Sequence, residues 1–547
     1  MKAKYFVGVD VGTQSVRAGL VGVDGSVAKI ATLPITTCNP YVDMYEQSAD
    51  DIWDLCVQSI KQVIKDIDPC VIGGIGFDAT CSLVALDKEM KPLSLSKTGN
   101  PDLNIILWMD HRAIDEANII NNSCHKVLQF VGGKISPEME IPKILWIKKN
   151  MPLQWSKVGY FFDLPDYLTW KATGSFQRSL CSLVCKWTYL AGDLVKEGWQ
   201  DDFFHEIGLS DLLDMNYNKI GSEVLEPGQL CGQGLNEDAA KSLGLKTGTP
   251  VSISIIDAHA GGLGVLSCSS TIDMGNIEQR LALICGTSTC HMKVNKTQLF
   301  TSGVWGPYFS AMIPGYWCSE AGQSAAGALL DHVINSHPAS AALKEQIVLH
   351  NDGRHITDLL NDLAIKLTKE KQLKSLAFLT SDFHVYPDYH GNRSPIANPN
   401  LKGMICGLTL SSEVNDLIMQ YIATVQALSY STRHIISALE NSGHTIKSLF
   451  VCGGLSKNKL YVQMHADITG LPVIIPLNSE PVIVGSAILA ASAAKYYPSV
   501  LSAMSSMCGA ATVIKPNIED KKFHDKKYQV YLSLLKCQEK IVEIMTK

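Results

Sequence analysis

Apolar and polar positions run along this chain in two similar rounds. The first begins with a near-continuous apolar stretch over 5–11 that breaks at Gly12, and apolar positions resume over 16–23 and again over 26–33. These read as three strands, with Asp24-Gly25 a strong hairpin signal between the second and third. From Ser48, a good N-cap, Ile52, Leu55, Val63 and Ile67 recur at helical spacing. A buried strand is expected at 71–77 and another at 103–108, with helices at 113–130 and 140–150 and a mixed stretch over 155–200. A further strand over 250–256 ends at Asp257 and enters a small-residue run containing Gly261, Gly262 and Gly264.

The second round follows a polar stretch at 267–280, which reads as a lobe boundary. Ser267, Ser269, Ser270 and Gly275 mark it as the expected hinge. A strand at 281–284 enters Gly286, Thr287 and Ser288, and a helix is expected from Ser324. The Lys- and His-rich region 333–375 reads as an inserted helical pair. Helix 411–441 precedes a strand at 448–451 that runs into Gly453 and Gly454, and amphipathic helix closes the chain. No period of ~20–50 residues repeats, so solenoids and propellers fall away. What recurs is a strand entering a Gly-rich turn, twice early and twice late. That pattern resembles the actin-like ATPase superfamily. It predicts an α/β chain of two actin-like (ribonuclease H-like) lobes, 1–266 and 267–547, with a ligand cleft between them.

The first turn carries the sharpest chemistry. Asp10 ends an apolar strand, Gly12 turns the chain, and Thr13, Gln14 and Arg17 follow. The N–H groups and hydroxyls of such a turn can hold a phosphate, and the carboxylate can hold its magnesium. The strand–turn–strand order differs from the Rossmann and P-loop arrangements, and no GxxxxGK[ST] is present. Taken alone, the segment also reads as an ordinary hairpin whose aspartate caps a turn.

Composition narrows the class. The 547 residues are 46% hydrophobic and 18% charged, enough for a sizeable core. A net charge of −6 gives no electrostatic case for a nucleic-acid partner or an anionic membrane, and no apolar run is long enough to span a bilayer. The 16 cysteines sit in apolar contexts without CxxC pairs, which points to reduced thiols in the cytoplasm and against disulfides or zinc.

The chain resembles the FGGY carbohydrate kinase family over essentially its whole length. The carriers are the segments 10–17, 78–84, 108–112, 139–143, 257–262, 285–288 and 452–458, and Thr80-Cys81-Ser82-Leu83-Val84 resembles the D-ribulokinase branch. The resemblance implies an ATP- and Mg²⁺-dependent kinase of a small-molecule pentulose, most directly D-ribulose phosphorylated at its C5 hydroxyl. L-ribulose, D-xylulose and ribitol stay open as acceptors, and so does a homodimer. An actin-like ATPase without a sugar substrate is the contrasting reading.

Residue by residue, the resemblance makes Asp257 the general base and Asp10 the metal-linked carboxylate. Gly12, Thr13, Gln14 and Arg17 become the first phosphate loop and Gly286, Thr287 and Ser288 the second. Gly453, Gly454 and Asn458 become the adenosine wall. Asp78, Cys81, Trp108, Asp110, Lys186 and Glu320 become sugar contacts, with Cys81 a pocket wall rather than a nucleophile. Lys186 and Glu320 stand inside apolar stretches, where an unpaired charge is costly. Each also has a plainer reading, Lys186 as a snorkelling lysine and Glu320 as a capping or ion-pairing residue.

Overall fold

The structure, a computed structural model, describes residues 3–192, 197–272, 274–350 and 353–546. The chain opens with three antiparallel strands, β1 (Tyr5–Val11), β2 (Ser15–Gly22) and β3 (Val27–Pro34), and then the helix α1 (Ala49–Ile64). Ser48 caps that helix by accepting the Asp51 N–H at 3.3 Å. β4 (Ile72–Ala79) pairs parallel to β1. After a long excursion that includes the short helix α2 (Leu180–Lys186), β5 (Ile255–Ile256) pairs parallel to β4. The sheet order is β5-β4-β1-β2-β3. Helix α3 (Asp257–Val265) starts directly at the end of β5.

The second half repeats this plan. β6 (Arg280–Cys285), β7 (Thr289–Asn295), β8 (Trp305–Phe309) and β9 (Trp317–Gln323) are antiparallel neighbours. Helix α4 (Val414–Asn441) leads to β10 (Ser448–Cys452), parallel to β6. Helix α5 (Lys459–Thr469) leads to β11 (Val473–Pro476), parallel to β10. Stripped of its edge strands β8 and β12 (Ala511–Ile514), the order β9-β7-β6-β10-β11 reproduces the first sheet. Two such units are the two-lobed actin-like α/β fold expected from the recurring turns.

Helix α6 (Pro481–Ala493) ties the halves together. It belongs to the second half by sequence but packs on β1, β4 and α3 of the first. The approach is so close that a Cβ on Gly76 would lie 2.0 Å from the Ser486 carbonyl oxygen, and one on Gly485 would lie 1.9 Å from that of Ala260. The division at 266/267 therefore separates the sheets but not the helices.

Several expected boundaries shift. Of the strands read at 103–108 and 250–256, only Ile105–Ile106 and Ile255–Ile256 form ladders. The region read as a helical pair holds Gly327–Ser336, Ser340–His350 and Ile356–Glu370. In the stretch expected to be the hinge, Ser267, Ser270 and Gly275 are half-buried and Ser269 is exposed, while a few neighbours anchor it. Leu266, Cys268 and Met274 are buried, the Arg280 Nη1 donates to the Leu266 carbonyl at 2.6 Å, and the Ser269 N–H donates to the Gly509 carbonyl at 2.9 Å. No helix among the described residues is long and apolar enough to cross a membrane.

Candidate active site

The duplicated topology puts two tight turns face to face. Between β1 and β2 the Gly12 N–H donates to the Ser15 carbonyl at 3.0 Å, and between β6 and β7 the Gly286 N–H donates to that of Ser288 at 2.8 Å. Both turns line one cavity of about 560 Å³ between the sheets, within the usual range for a ligand pocket. Of the residues singled out in the sequence, Asp10, Gly12, Thr13, Gln14, Arg17, Cys81, Trp108, Lys186, Asp257, Gly286, Thr287, Ser288, Glu320, Gly453 and Gly454 line it. Asp78, Asp110 and Asn458 do not.

Strand register gathers the acids. Asp10 sits beside Asp78 in the parallel β1–β4 pair and opposite Arg17 in the hairpin. Arg17 bonds Asp10 and reaches Glu480 at 2.7 Å. Asp78 is fully buried behind the cavity floor, where it accepts the Ser486 hydroxyl of α6 and its Oδ1 meets no donor. Burial, and then the neighbouring Asp10, push the Asp78 carboxyl well above the ordinary range. Asp257, the first residue of α3, is pushed up to about 6 by burial and next by Asp10, opposed by the Ala258 N–H that donates to it at 2.7 Å. Asp10 and Asp257, two neighbouring carboxylates that line the same cavity, are the oxygen donors a hard divalent cation requires. Asp10, backed by Asp78 and Asp257, would hold magnesium, which neutralises phosphate charge when bound.

The side of the cavity beneath β10 is open. Gly453 turns the chain with φ +87°, and a Cβ there would lie 2.4 Å from the Cys285 carbonyl oxygen, so glycine is required. A Cβ on Gly454 would meet nothing within 4 Å, which leaves a bare wall. Asn458 stands behind that wall. Its Oδ1 accepts the Leu460 and Tyr461 N–H groups at 3.1 and 3.2 Å to cap α5, while its Nδ2 donates to the Tyr421 hydroxyl at 2.7 Å.

The opposite side is polar and charged. Lys186, at the end of α2, donates to both oxygens of Glu320 on β9 at 3.0 and 3.1 Å and lies 4.4 Å from the Trp305 ring centre. Burial alone would raise the Glu320 carboxyl, but Lys186 holds it below the usual range. The Trp108 indole N–H donates to Thr13 Oγ1 at 3.0 Å, which ties this side to the first turn. Asp110 is spent elsewhere. Arg112 donates to it at 2.7 and 2.9 Å and also reaches Glu46 at 2.9 Å, in a fully buried triad that braces the Trp108 segment. Burial pushes the Cys81 thiol well up, in keeping with a wall residue and not a nucleophile.

Three contributors escape any local sequence signal. Trp305 lines the cavity, and Glu138 and Arg393, 255 residues apart, pair there at 3.0 Å. Burial would raise the Glu138 carboxyl, yet Arg393, with help from His111, brings it down to about 2. His259, two residues after Asp257 on α3, clusters with Cys181 and Cys185 in full burial, with the Cys185 sulfur 3.4 Å from His259 Nε2.

Comparison with known proteins agrees with this architecture. The profile of the FGGY family of carbohydrate kinases, N-terminal domain, matches residues 5–264, and that of the C-terminal domain matches residues 281–494. An FGGY carbohydrate kinase domain-containing protein of Xenopus laevis is 51% identical, over 99% of this chain and 98% of its own. A D-ribulokinase of Saccharomyces cerevisiae is 39% identical, over 90% of this chain and 72% of its own. The crystal structure of a xylulose kinase from Brucella ovis superposes with a TM-score of 0.78 over 98% of this chain and all of its own, at 20% identity. The chain belongs to the FGGY family of carbohydrate kinases.

Proposed function

We propose that this kinase transfers the γ-phosphoryl group of ATP to the C5 hydroxyl of D-ribulose. The observation that carries the reading is Asp257. It stands at the junction of the two phosphate-type turns with a charged pocket, half-buried and with its carboxyl poised at about 6. A carboxylate so placed accepts the acceptor hydroxyl's proton as the new O–P bond forms and the bond from the γ-phosphorus to the bridging oxygen of ADP breaks. Gly12 to Gln14, Arg17 and Gly286 to Ser288 cradle the phosphates, and the open face at Gly453 and Gly454 takes the adenosine. Lys186, Glu320, Trp108 and Cys81 line the sugar. Asp10 carries the magnesium.

The likeness to the yeast D-ribulokinase supports D-ribulose over other acceptors. The Lys186–Glu320 pair argues against a sugar-free ATPase, which has no use for a second charged pocket. The free state of all 16 cysteines suits the reducing cytoplasm. The test is ADP release with D-ribulose, L-ribulose, D-xylulose and ribitol. A clear preference for D-ribulose over a low basal rate is expected. Equal rates on D-ribulose and D-xylulose would overturn the assignment, and a sugar-independent rate would overturn the kinase reading.

A further inference from the structure

A second cavity of about 400 Å³ lies against the first. Its lining is amide-rich, with Asn118, Asn121, Asn392 and Asn398 among its residues. Glu138, Trp305 and Arg393 line both cavities and so form the partition between them. The partition is well built. Arg393 Nη2 donates to the two Glu138 oxygens at 3.0 and 3.3 Å, and its guanidinium carbon lies 5.4 Å from the Trp305 ring centre and 5.8 Å from that of Trp108. His111 backs the carboxylate with its Nε2 3.6 Å from Glu138 Oε1, and its ring stacks on that of His390. Both members of the ion pair are at most 9% exposed.

From this arrangement we infer that the Glu138–Arg393 pair sets the length of acceptor the enzyme takes. The inference rests on the ketose-kinase reading and deepens it. Lys186, held by Glu320, lies 4.4 Å from the Trp305 ring centre of the partition, where Arg393 lies 5.4 Å from the same ring, and Asp257 lines this same first cavity but not the second. A sugar whose terminal hydroxyl meets Asp257 therefore points its other end at the ion pair. An apolar wall would yield to an extra carbon at small cost. A buried ion pair does not, because displacing one partner leaves both charges desolvated and unmatched. Space for a longer chain exists just beyond, in the second cavity, and the ion pair keeps it closed.

The test compares ADP release on D-ribulose, on the six-carbon ketose D-allulose and on the seven-carbon ketose sedoheptulose. The native enzyme is expected to favour D-ribulose by about tenfold or more, the scale of discrimination over one carbon. Glu138→Ala/Arg393→Ala removes both charges together and should raise the longer-to-pentulose ratio of kcat/KM about tenfold. Asn118→Trp, on the outer lining of the second cavity, should leave the native profile unchanged and return the double variant's ratio to the native value. Glu138→Asp/Arg393→Lys keeps the charges on shorter arms and should move the ratio the same way by less, which provides a readout if the alanine pair does not fold. An unchanged ratio in either double variant, or a raised ratio that Asn118→Trp does not reverse, overturns the length-setting role alone. Absence of sugar-dependent ADP release in the native enzyme overturns the ketose-kinase reading itself.

Discussion

Lys186 and Glu320, 134 residues apart in the chain, meet inside the cleft at 3.0 Å with both side chains about 95% buried. One comes from α2 of the first half and the other from β9 of the second, so the pair spans the two lobes. Removing one member of a buried pair leaves an uncompensated charge, at a cost on the order of 3 kcal/mol.

Glu320→Gln keeps the shape of the side chain but strands the Lys186 ammonium. A lower denaturation midpoint is expected, with a KM for D-ribulose raised about tenfold or more and a KM for ATP within about twofold of native. Steady-state kinetics with each substrate varied in turn checks this. An unchanged sugar KM would make the pair an interlobe strut and nothing more.

Asp257→Asn should lower kcat by ~10²–10⁴, the usual contribution of a general base, while leaving ATP binding near native. The pH profile adds an independent check. Only the deprotonated carboxylate accepts a proton, so native kcat/KM should rise with pH through about 6 and level off above it. That limb should vanish in Asp257→Asn. A variant keeping over half its activity, or the same limb, would place the base elsewhere.

The sequence was most legible where structure is local. Strand-into-glycine turns announce themselves through adjacent residues, and so Asp10, Gly12, Asp257, Gly286 and Gly453 all arrive at one cavity. Other polar residues near the turns also have a local partner in the structure. Asp110 is captured by Arg112 two positions on, and Asn458 by the N–H groups of the helix it opens. Asp78 is a subtler case, since strand register brings it beside Asp10 but turns it onto Ser486 behind the floor. Glu138 with Arg393, and Cys181 and Cys185 with His259, were beyond reach. Each grouping joins distant segments, and nothing in local spacing marks one partner for the other.

The two neighbouring glycines of the proposed adenosine wall should behave differently. Gly453→Ala forces a side chain into a left-handed backbone and against the Cys285 carbonyl, so a loss of about 1–3 kcal/mol of stability is expected. Gly454→Ala meets no protein atom and should fold as stably as native. Its methyl group projects into open space, so its KM for ATP should rise while that for D-ribulose holds. Equal stability loss in both variants, or an unchanged ATP KM in Gly454→Ala, would contradict a nucleotide surface there.

The crossing of α3 and α6 links packing to chemistry. Asp257 opens α3, and Ala260, one turn further along the same helix, presents its carbonyl oxygen 1.9 Å from where a Gly485 Cβ would stand. On α6, the residue after Gly485 is Ser486, which holds Asp78. Gly485→Ala must therefore push the helices apart, and it moves α3, which carries the proposed base Asp257, relative to the carboxylates of β1 and β4. Overpacking of this kind costs about 1–3 kcal/mol, seen as a lower thermal midpoint. The kinetic consequence is the sharper test. A displacement of the base by a fraction of an ångström should cut kcat by ~10-fold or more, because proton transfer and in-line attack both depend on near-contact geometry. KM for ATP and for D-ribulose should change far less, since the phosphate turns and the Lys186–Glu320 pair lie on other elements. Ser486→Ala is the companion variant. It removes the hydroxyl that Asp78 accepts without crowding α3, so it should act on the magnesium dependence of the rate and leave the pH limb of Asp257 in place. If Gly485→Ala loses stability while its kcat stays native, the close helix crossing serves packing alone and does not position the base.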